Sequence, residues 1–148
     1  MNAAPLEPRQ LLIVEDDPGD VVLTREALTD FEARINVHVV SDGEAAIEFL
    51  LREGVYAAVP RPDLVLLDLN LPRMSGHGVL TRIKEDPGLR SIPVVVLTTS
   101  NAAEDVEASY DHHANAFVTK PPDLDRYVDV VRHVGGFFLT IARPPSPN

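Results

Sequence analysis

The sequence contains no cysteine and no tryptophan, and only 5% of its 148 residues are aromatic. Without cysteine the chain has no disulfide, no thiolate zinc site and no cysteine nucleophile, which suits a reducing compartment. Basic residues are also few, since 13 Lys and Arg stand against 23 Asp and Glu, giving a formal net charge of −10. Such an acidic chain repels phosphate backbones, so we expect no nucleic-acid partner.

Long apolar runs are missing as well. None approaches the roughly 20 residues that cross a bilayer, and the first ten residues, MNAAPLEPRQ, lack the apolar stretch of a signal peptide. We therefore expect a cytoplasmic protein with no membrane partner. The length suits one domain, expected over residues 10–140, with an N-terminal tail over 1–9 and a C-terminal tail over 141–148, because both ends contain several prolines.

Short apolar runs divide the central part of the chain. Four of them are too short for helices and are bounded by polar residues or proline, which is typical of strands covered on both faces. These predicted strands lie at residues 11–14, 64–67, 94–97 and 116–118. Residues 35–39 alternate between apolar and polar side chains instead, which predicts a strand near a sheet edge.

Amphipathic patterns between the strands predict five helices. The first is expected over residues 20–31; a capping-box pattern at 41–44 precedes the second, and residues 101 and 104 form a possible cap pair for the fourth. The core-facing stripes of the later four helices are Ala46, Ile47, Leu50 and Leu51; Gly76, Val79, Leu80 and Ile83; Ala103, Val106 and Tyr110; and Leu124, Tyr127, Val128 and Val131. Strands that alternate with helices predict an α/β fold, a parallel sheet with helices on both faces.

Chemically active side chains follow four of the predicted strands. Glu15 and Asp16 come directly after the first strand, and Asp68 comes after the third. Thr98 stands at the end of the fourth strand and Lys120 after the fifth. Ligands of open parallel sheets bind beyond the carboxyl ends of the strands. We therefore expect acids, a hydroxyl and an ammonium to meet at this edge.

The motifs around these residues closely resemble the receiver domain of two-component response regulators. They are LLIVEDD (11–17), LVLLDLNLPRMSG (64–76), VVVLTTS (94–100) and FVTKP (117–121), and the resemblance covers residues 10–140. It implies a doubly wound five-stranded parallel sheet with the flavodoxin-like order 2-1-3-4-5. The DLNLPRMSG segment, the longer connection before the third strand and the apolar end at 137–139 resemble one subgroup, the single-domain regulators paired with phytochrome-type histidine kinases.

The resemblance implies a phosphoacceptor site. Asp68 would accept a phosphoryl group from a histidine kinase and become an aspartyl phosphate. Asp16 and Asp68 would bind Mg²⁺ or Mn²⁺ directly, the backbone carbonyl of Asn70 would add a ligand, and Glu15 would act through water. Such a domain is not an enzyme with turnover, because it catalyses only its own phosphorylation and slow dephosphorylation.

The resemblance also assigns the residues around the phosphoryl group. Lys120 would contact a phosphoryl oxygen, aimed by a cis peptide bond to Pro121. Thr98 would donate its hydroxyl and, by moving inward, make room for Phe117 at the aromatic switch position. Asn70 and Ser100 would tune the lifetime of the phosphate. Asp17 and the five histidines, which show no metal-ligand spacing, are expected to be solvated surface residues.

Two other functions are weighed against this one. A strand followed by Asp-x-Asp would resemble haloacid-dehalogenase-like phosphohydrolases, but Asn70 stands where their general acid is needed. A phosphorylation-independent pseudo-receiver is disfavoured because the acids, Thr98 and Lys120 are all present.

The expected output is contact with other proteins. The partners would be a histidine kinase, possibly a bacteriophytochrome, and a downstream protein target. A homodimer could form through helix 4, strand 5, helix 5 and the Phe137-Phe138-Leu139 end, or that end could pack onto its own sheet, and the sequence leaves both open.

Overall fold

The structure, a computed structural model, describes residues 7–31, 34–143 and 145. Within these residues five strands alternate with five helices, as the sequence predicts. The strands are β1 (Arg9–Val14), β2 (Ile35–Val40), β3 (Leu64–Leu67), β4 (Val94–Thr98) and β5 (Ala116–Thr119). The helices are α1 (Pro18–Ala27), α2 (Gly43–Leu51), α3 (Gly76–Glu85), α4 (Ala103–Asp111) and α5 (Leu124–Gly136), the last continued by a π-helical turn, Phe137–Ile141.

All strand pairs in the sheet are parallel, and the order is β2-β1-β3-β4-β5. The predicted fold class and strand order are therefore confirmed, as is the position of β2 at an edge. Val14, the last residue of β1, lies opposite Val40 on one side and Leu67 on the other. Because β1 and β3 end at the same level, the residues that follow them start side by side.

Two apolar cores lie on opposite faces of the sheet. Leu12 and Val65 face the core shared with α2 and α3, whereas Leu11 and Leu66 face the core shared with α1 and α5. Successive strand residues point to opposite faces, which is why uninterrupted apolar runs are needed here. Each fully buried side chain of this kind contributes roughly 1.5–3 kcal/mol, so the sheet is a stable base for the loops at its carboxyl edge.

Helix α4 departs from the predicted core-facing pattern. Ala103 and Tyr110 are exposed, and Ser109 is the buried residue that the helix contributes. Leu124, the first residue of α5, is exposed as well. Both errors have one cause: β5 is an edge strand whose side chains are only partly buried, so the elements around it have less core to cover.

The helix starts also differ from the prediction. Helix α1 begins with Pro18 at its first turn and ends at Ala27, followed by a 3₁₀ turn, Thr29–Phe31, so the expected helix over 20–31 is shifted. The side chain of Asp42, not Ser41, caps α2 and accepts a hydrogen bond from the Ala45 N–H at 2.7 Å. Asn101 does not cap α4, which has no side-chain cap on its N-cap residue. Neighbouring polar residues can each serve as caps, and the backbone path decides among them.

The chain ends are only partly described. Of the expected tails, residues 1–6, 144 and 146–148 lie outside the described residues. Leu139 is buried in the α1/α5 core and Phe138 packs against it, whereas Phe137 is 52% exposed. The end of α5 therefore packs partly onto its own domain and leaves one aromatic ring at the surface. No helix in the described part of the chain is long and apolar enough to cross a membrane.

Candidate functional site

Three carboxylates meet at the carboxyl edge of the sheet. Glu15 and Asp16 follow β1, and Asp68 follows the adjacent β3. One ligand oxygen from each of the three lies within 4.8 Å of the others. Glu15 and Asp68 are buried and Asp16 is exposed, so the cluster opens to solvent on one side.

Lys120 brings a buried ammonium to these acids. It follows β5, and its backbone N–H donates to the Thr98 carbonyl at 2.6 Å, which extends the β4–β5 pairing by one residue. Its Nζ contacts Glu15 Oε1 and lies 3.3 Å from Asp68 Oδ2. The described residues contain no cis peptide bond, so the expected cis bond between Lys120 and Pro121 is wrong. A trans bond, the form that X–Pro pairs prefer by about 0.5–1 kcal/mol, already aims the ammonium at the carboxylates.

A fourth carboxylate, Asp20, belongs to the site and was missed from the sequence. Its Oδ2 lies 2.7 Å from Lys120 Nζ. Asp17 is also more than a loop residue, because its side chain caps α1 and accepts from the N–H groups of Gly19 (2.8 Å) and Asp20 (3.3 Å). The signal for Asp20 was its place three residues after this cap, in the first turn of a helix that starts beside the acids.

The buried charges shift one another's pKa values. Burial, together with the neighbouring Asp68, raises the pKa of Glu15 to about 7, although Lys120 opposes the shift. Burial also disfavours the charged form of Asp68, but hydrogen bonds with Glu15, Asn70 and Thr98 and the charge of Lys120 prevail and lower its pKa. Of the two buried carboxylates Glu15 and Asp68, Asp68 is therefore the one that stays ionised near neutral pH.

The backbone around Asp68 is held tightly. The Asn70 N–H donates to Asp68 Oδ1 at 3.2 Å, and the Gly76 N–H donates to the Leu69 carbonyl at 2.9 Å. A Cβ atom at Gly76 would come within 2.2 Å of the Asp68 carbonyl oxygen, so only glycine lets α3 start this close to the loop. The LVLLDLNLPRMSG segment thus fixes where the Asp68 carboxylate lies.

Of three further predicted residues, Thr98 contacts Asp68, whereas Phe117 and Ser100 lie outside the carboxylate cluster. Thr98 is fully buried at the end of β4. Phe117 is half-buried against the α2/α3 core, and its N–H donates to the Tyr110 hydroxyl of α4 at 3.1 Å. Ser100 lies in the β4–α4 loop, and its hydroxyl donates to Asp105 at 2.6 Å. The structure therefore brings Glu15, Asp16, Asp68 and Lys120 together and places Phe117 away from them.

The family model for the response regulator receiver domain matches residues 11–132 of the chain. The chain belongs to the response regulator receiver family. The receiver domain is 42% identical to the response regulator Rcp1 of Synechocystis sp., over 94% of this chain and 95% of that protein. The similarity to known receivers thus extends over nearly the whole sequence.

Two solved structures are similar to this receiver domain over 94% of its length. The phosphorylated cyanobacterial phytochrome response regulator RcpA is 43% identical, with 99% of its chain covered and a TM-score of 0.91. The Mn²⁺-bound form of Rcp1 is 42% identical, with 100% of its chain covered and a TM-score of 0.90. The predicted relationship to phytochrome response regulators is therefore confirmed.

The carboxylate cluster of this receiver domain fits a divalent metal ion. Glu15, Asp16 and Asp68 offer hard oxygen ligands, which suit Mg²⁺ and Mn²⁺. With Asp20, the site holds four carboxylates, and Lys120 contacts three of them, Glu15, Asp20 and Asp68. A divalent cation would offset part of the negative charge that remains.

Proposed function

We propose that this receiver domain accepts a phosphoryl group from a histidine kinase on Asp68 and signals through contacts with other proteins. The proposal rests on the position of the Asp68 carboxylate. Its Oδ2 lies 3.3 Å from the Lys120 ammonium, and its other oxygen accepts the Asn70 N–H. A carboxylate held between two donors, with a lowered pKa, is ionised and oriented as a nucleophile must be.

The transfer would be a direct displacement at phosphorus. A carboxylate oxygen of Asp68 forms a P–O bond as the P–N bond to the kinase histidine breaks, and the electron pair of that bond returns to the imidazole nitrogen. Little covalent chemistry is asked of the protein beyond alignment and charge balance. Lys120, freed from part of its contact with Glu15 and Asp20, would bind an oxygen of the transferred group.

Glu15, Asp16 and Asp68 would hold Mg²⁺ or Mn²⁺, with Asp16 and Asp68 as direct ligands, Glu15 acting through water, and the Asn70 carbonyl as a further ligand. The bound ion would reduce the repulsion between the carboxylates and the incoming phosphoryl group. The Mn²⁺-bound structure of the related Rcp1 supports this part of the proposal.

The proposed signal runs from Thr98 to the β5 edge. Thr98 would turn toward the phosphoryl group, and Phe117 would move into the space beside it. Because Phe117 carries no hydroxyl, it can report by burial only. The Phe117 N–H, however, donates to the Tyr110 hydroxyl of α4, so a movement of Phe117 would be transmitted to that helix.

The proposed kinase partner is a phytochrome-type sensor kinase such as a bacteriophytochrome, and the proposal is supported by the likeness to the phytochrome response regulator RcpA. The output would go to a downstream protein. Homodimerisation through α4, β5, α5 and the end of α5 is part of the proposal. It is supported by the exposed apolar side chains of Phe137 and Ile141.

A phosphohydrolase remains the alternative from another class. It needs a second acid two residues after the nucleophile, and here that position holds Asn70, whose side chain is exposed. Turnover of a phosphomonoester would support it, whereas a single phosphorylation followed by slow decay supports the receiver. A pseudo-receiver would retain the fold and take no label.

The direct test is labelling by acetyl phosphate in the presence of Mg²⁺. The wild type should take up about one phosphoryl group per chain, and Asp68→Asn should take up none. Asp111→Asn, an exposed residue at the end of α4, is the matched control and should label normally. Equal labelling of Asp68→Asn and wild type would refute the proposal. Phosphotransfer from a panel of histidine kinases would then identify the partner.

A further inference from the structure

The β4–α4 loop contains a hydrogen-bond network that the proposed phosphotransfer does not use. Ser100 Oγ lies 2.6 Å from Asp105 Oδ2, and His77 Nε2 lies 3.0 Å from the other oxygen, Oδ1. His77 belongs to α3 and Asp105 to the first turn of α4. The carboxylate of Asp105 therefore joins two helices to the loop that follows β4.

The hydroxyl hydrogen of Ser100 is taken up by this network. A serine hydroxyl has one hydrogen to donate, and a carboxylate can only accept, so that hydrogen goes to Asp105. The Ala102 N–H donates to the same Oγ at 3.3 Å. The loop carbonyl of Ser100 is held as well, because Thr119 Oγ1 of β5 donates to it at 3.1 Å. Both the backbone and the side chain of Ser100 are thus fixed.

The ring of His77 holds the carboxylate in this orientation. Its Nε2 must carry the hydrogen that faces Asp105, since the carboxylate has none to give. Its Nδ1 is buried without a hydrogen-bond partner, and a hydrogen on that atom would be an unsatisfied buried donor. The bond from α3 aligns one Asp105 oxygen while the other accepts from Ser100.

Ser100 is connected to the phosphoacceptor Asp68 through Thr98. Its backbone N–H is directed at Thr98 Oγ1 at 3.5 Å, and the Thr98 hydroxyl is one of the groups that lower the pKa of Asp68. A hydroxyl of this loop that is free to donate could orient a water molecule toward an acyl phosphate on Asp68, as a positioned polar group does in other hydrolytic steps. A hydroxyl bonded to Asp105 cannot donate to that water.

We propose that Asp105, oriented by His77, is a positioning residue that withholds the Ser100 hydroxyl from the phosphorylated site and so lengthens the lifetime of the aspartyl phosphate. This inference rests on the proposed function, because it concerns the hydrolysis of phosphorylated Asp68. In that hydrolysis a water oxygen forms a new bond to phosphorus, the bond to the Asp68 oxygen breaks, and carboxylate and inorganic phosphate are released.

The test is a double-mutant cycle on the intact protein. The protein is labelled with radioactive acetyl phosphate, the donor is removed, and the loss of label is followed at fixed Mg²⁺. Asp105→Ala frees the Ser100 hydroxyl, and we expect the label to decay about two- to tenfold faster. In a Ser100→Ala background the same Asp105→Ala change should have no further effect, because there is no hydroxyl to release.

Two further variants separate positioning from simple structural support. Asp105→Asn keeps one side-chain carbonyl that can accept from Ser100 but has no second oxygen for the His77 Nε2–H, so its decay should be no faster than that of His77→Ala. His77→Ala should accelerate decay to a smaller extent than Asp105→Ala, and only when Ser100 is present. Thermal melting of each variant shows whether it is folded, and the comparison between the two backgrounds removes any common loss of stability.

The outcomes are distinct. Faster decay of Asp105→Ala that disappears in the Ser100→Ala background supports the inference. An unchanged or slower decay of Asp105→Ala, or the same acceleration in both backgrounds, overturns it and leaves the phosphoacceptor role of Asp68 intact. Absence of label on the wild type would overturn the proposed function and this inference with it.

Discussion

Lys120 Nζ lies closer to Asp20 Oδ2, at 2.7 Å, than to Asp68 Oδ2, at 3.3 Å. Before phosphorylation the ammonium is therefore shared by the phosphoacceptor, Glu15 and a carboxylate on α1. The pKa of Lys120 is raised, since these contacts outweigh the effect of its burial, so the group is charged throughout the physiological range. Any phosphoryl oxygen that binds Lys120 competes with Asp20.

This competition predicts the effect of Asp20→Asn. The substitution removes one negative charge and weakens the bond that Lys120 must give up, so phosphorylation by acetyl phosphate should become faster, by up to about tenfold. The matched control is Glu26→Gln, an exposed acid on the same helix, which should leave the rate unchanged. A slower rate in Asp20→Asn would show that Asp20 aims the lysine instead of competing for it.

Mg²⁺ should stabilise the folded domain. The ion would bind the native carboxylate cluster and not the unfolded chain, which at about 100 times its dissociation constant adds about 2.7 kcal/mol to the free energy of unfolding. Thermal melting with increasing Mg²⁺ checks this. Asp16→Asn, which removes an exposed oxygen ligand but none of the contacts of Lys120, should lose most of the rise, and Asp111→Asn should keep it. A melting temperature that ignores Mg²⁺ would count against the metal site.

The raised pKa of Glu15 predicts that the stability of the metal-free protein depends on pH. Its pKa in the folded state, about 7, lies above the ordinary value of 4.5. The fold therefore favours the protonated form, and this contribution is fully present below pH 4.5 and is lost as the pH rises through about 7. Glu15→Gln carries a permanently neutral side chain and should lack this loss. Urea unfolding in the presence of a chelator, between pH 4.5 and pH 8, compares the two proteins. Parallel stability profiles would contradict the expectation.

The exposed apolar side chains at the end of α5 predict that two copies of the chain associate. Phe137 is 52% exposed and Ile141 is 74% exposed, and the two lie four residues apart on the π-helical turn. If this surface joins two copies, Phe137→Asp should shift the sedimentation coefficient from dimer to monomer. Val55→Asp, an exposed apolar residue in the 3₁₀ turn Gly54–Tyr56, is the control and should sediment as the wild type does. Identical sedimentation of all three proteins would rule out Phe137 as part of a seam.

The local sequence determined the framework of the protein. Apolar runs of three or four residues, each ending at a polar group, marked the buried strands because a strand covered on both faces has no room for polar side chains. The parallel topology then placed the acids after β1 and β3 and the lysine after β5 at one edge, so Asp16, Asp68 and Lys120 could be predicted. The match of several spaced motifs supplied the family.

Only the tertiary structure decided how these groups share their contacts. Asp20 and Lys120 are 100 residues apart and His77 and Asp105 are 28 residues apart, and no periodicity relates either pair. The exposure of α4 and the choice of Asp42 as a cap likewise depend on where the chain runs in space. A hydrogen bond is decided by a few tenths of an ångström, which comes from packing, whereas a strand is decided by the solvent exposure of a whole face, which the sequence records directly.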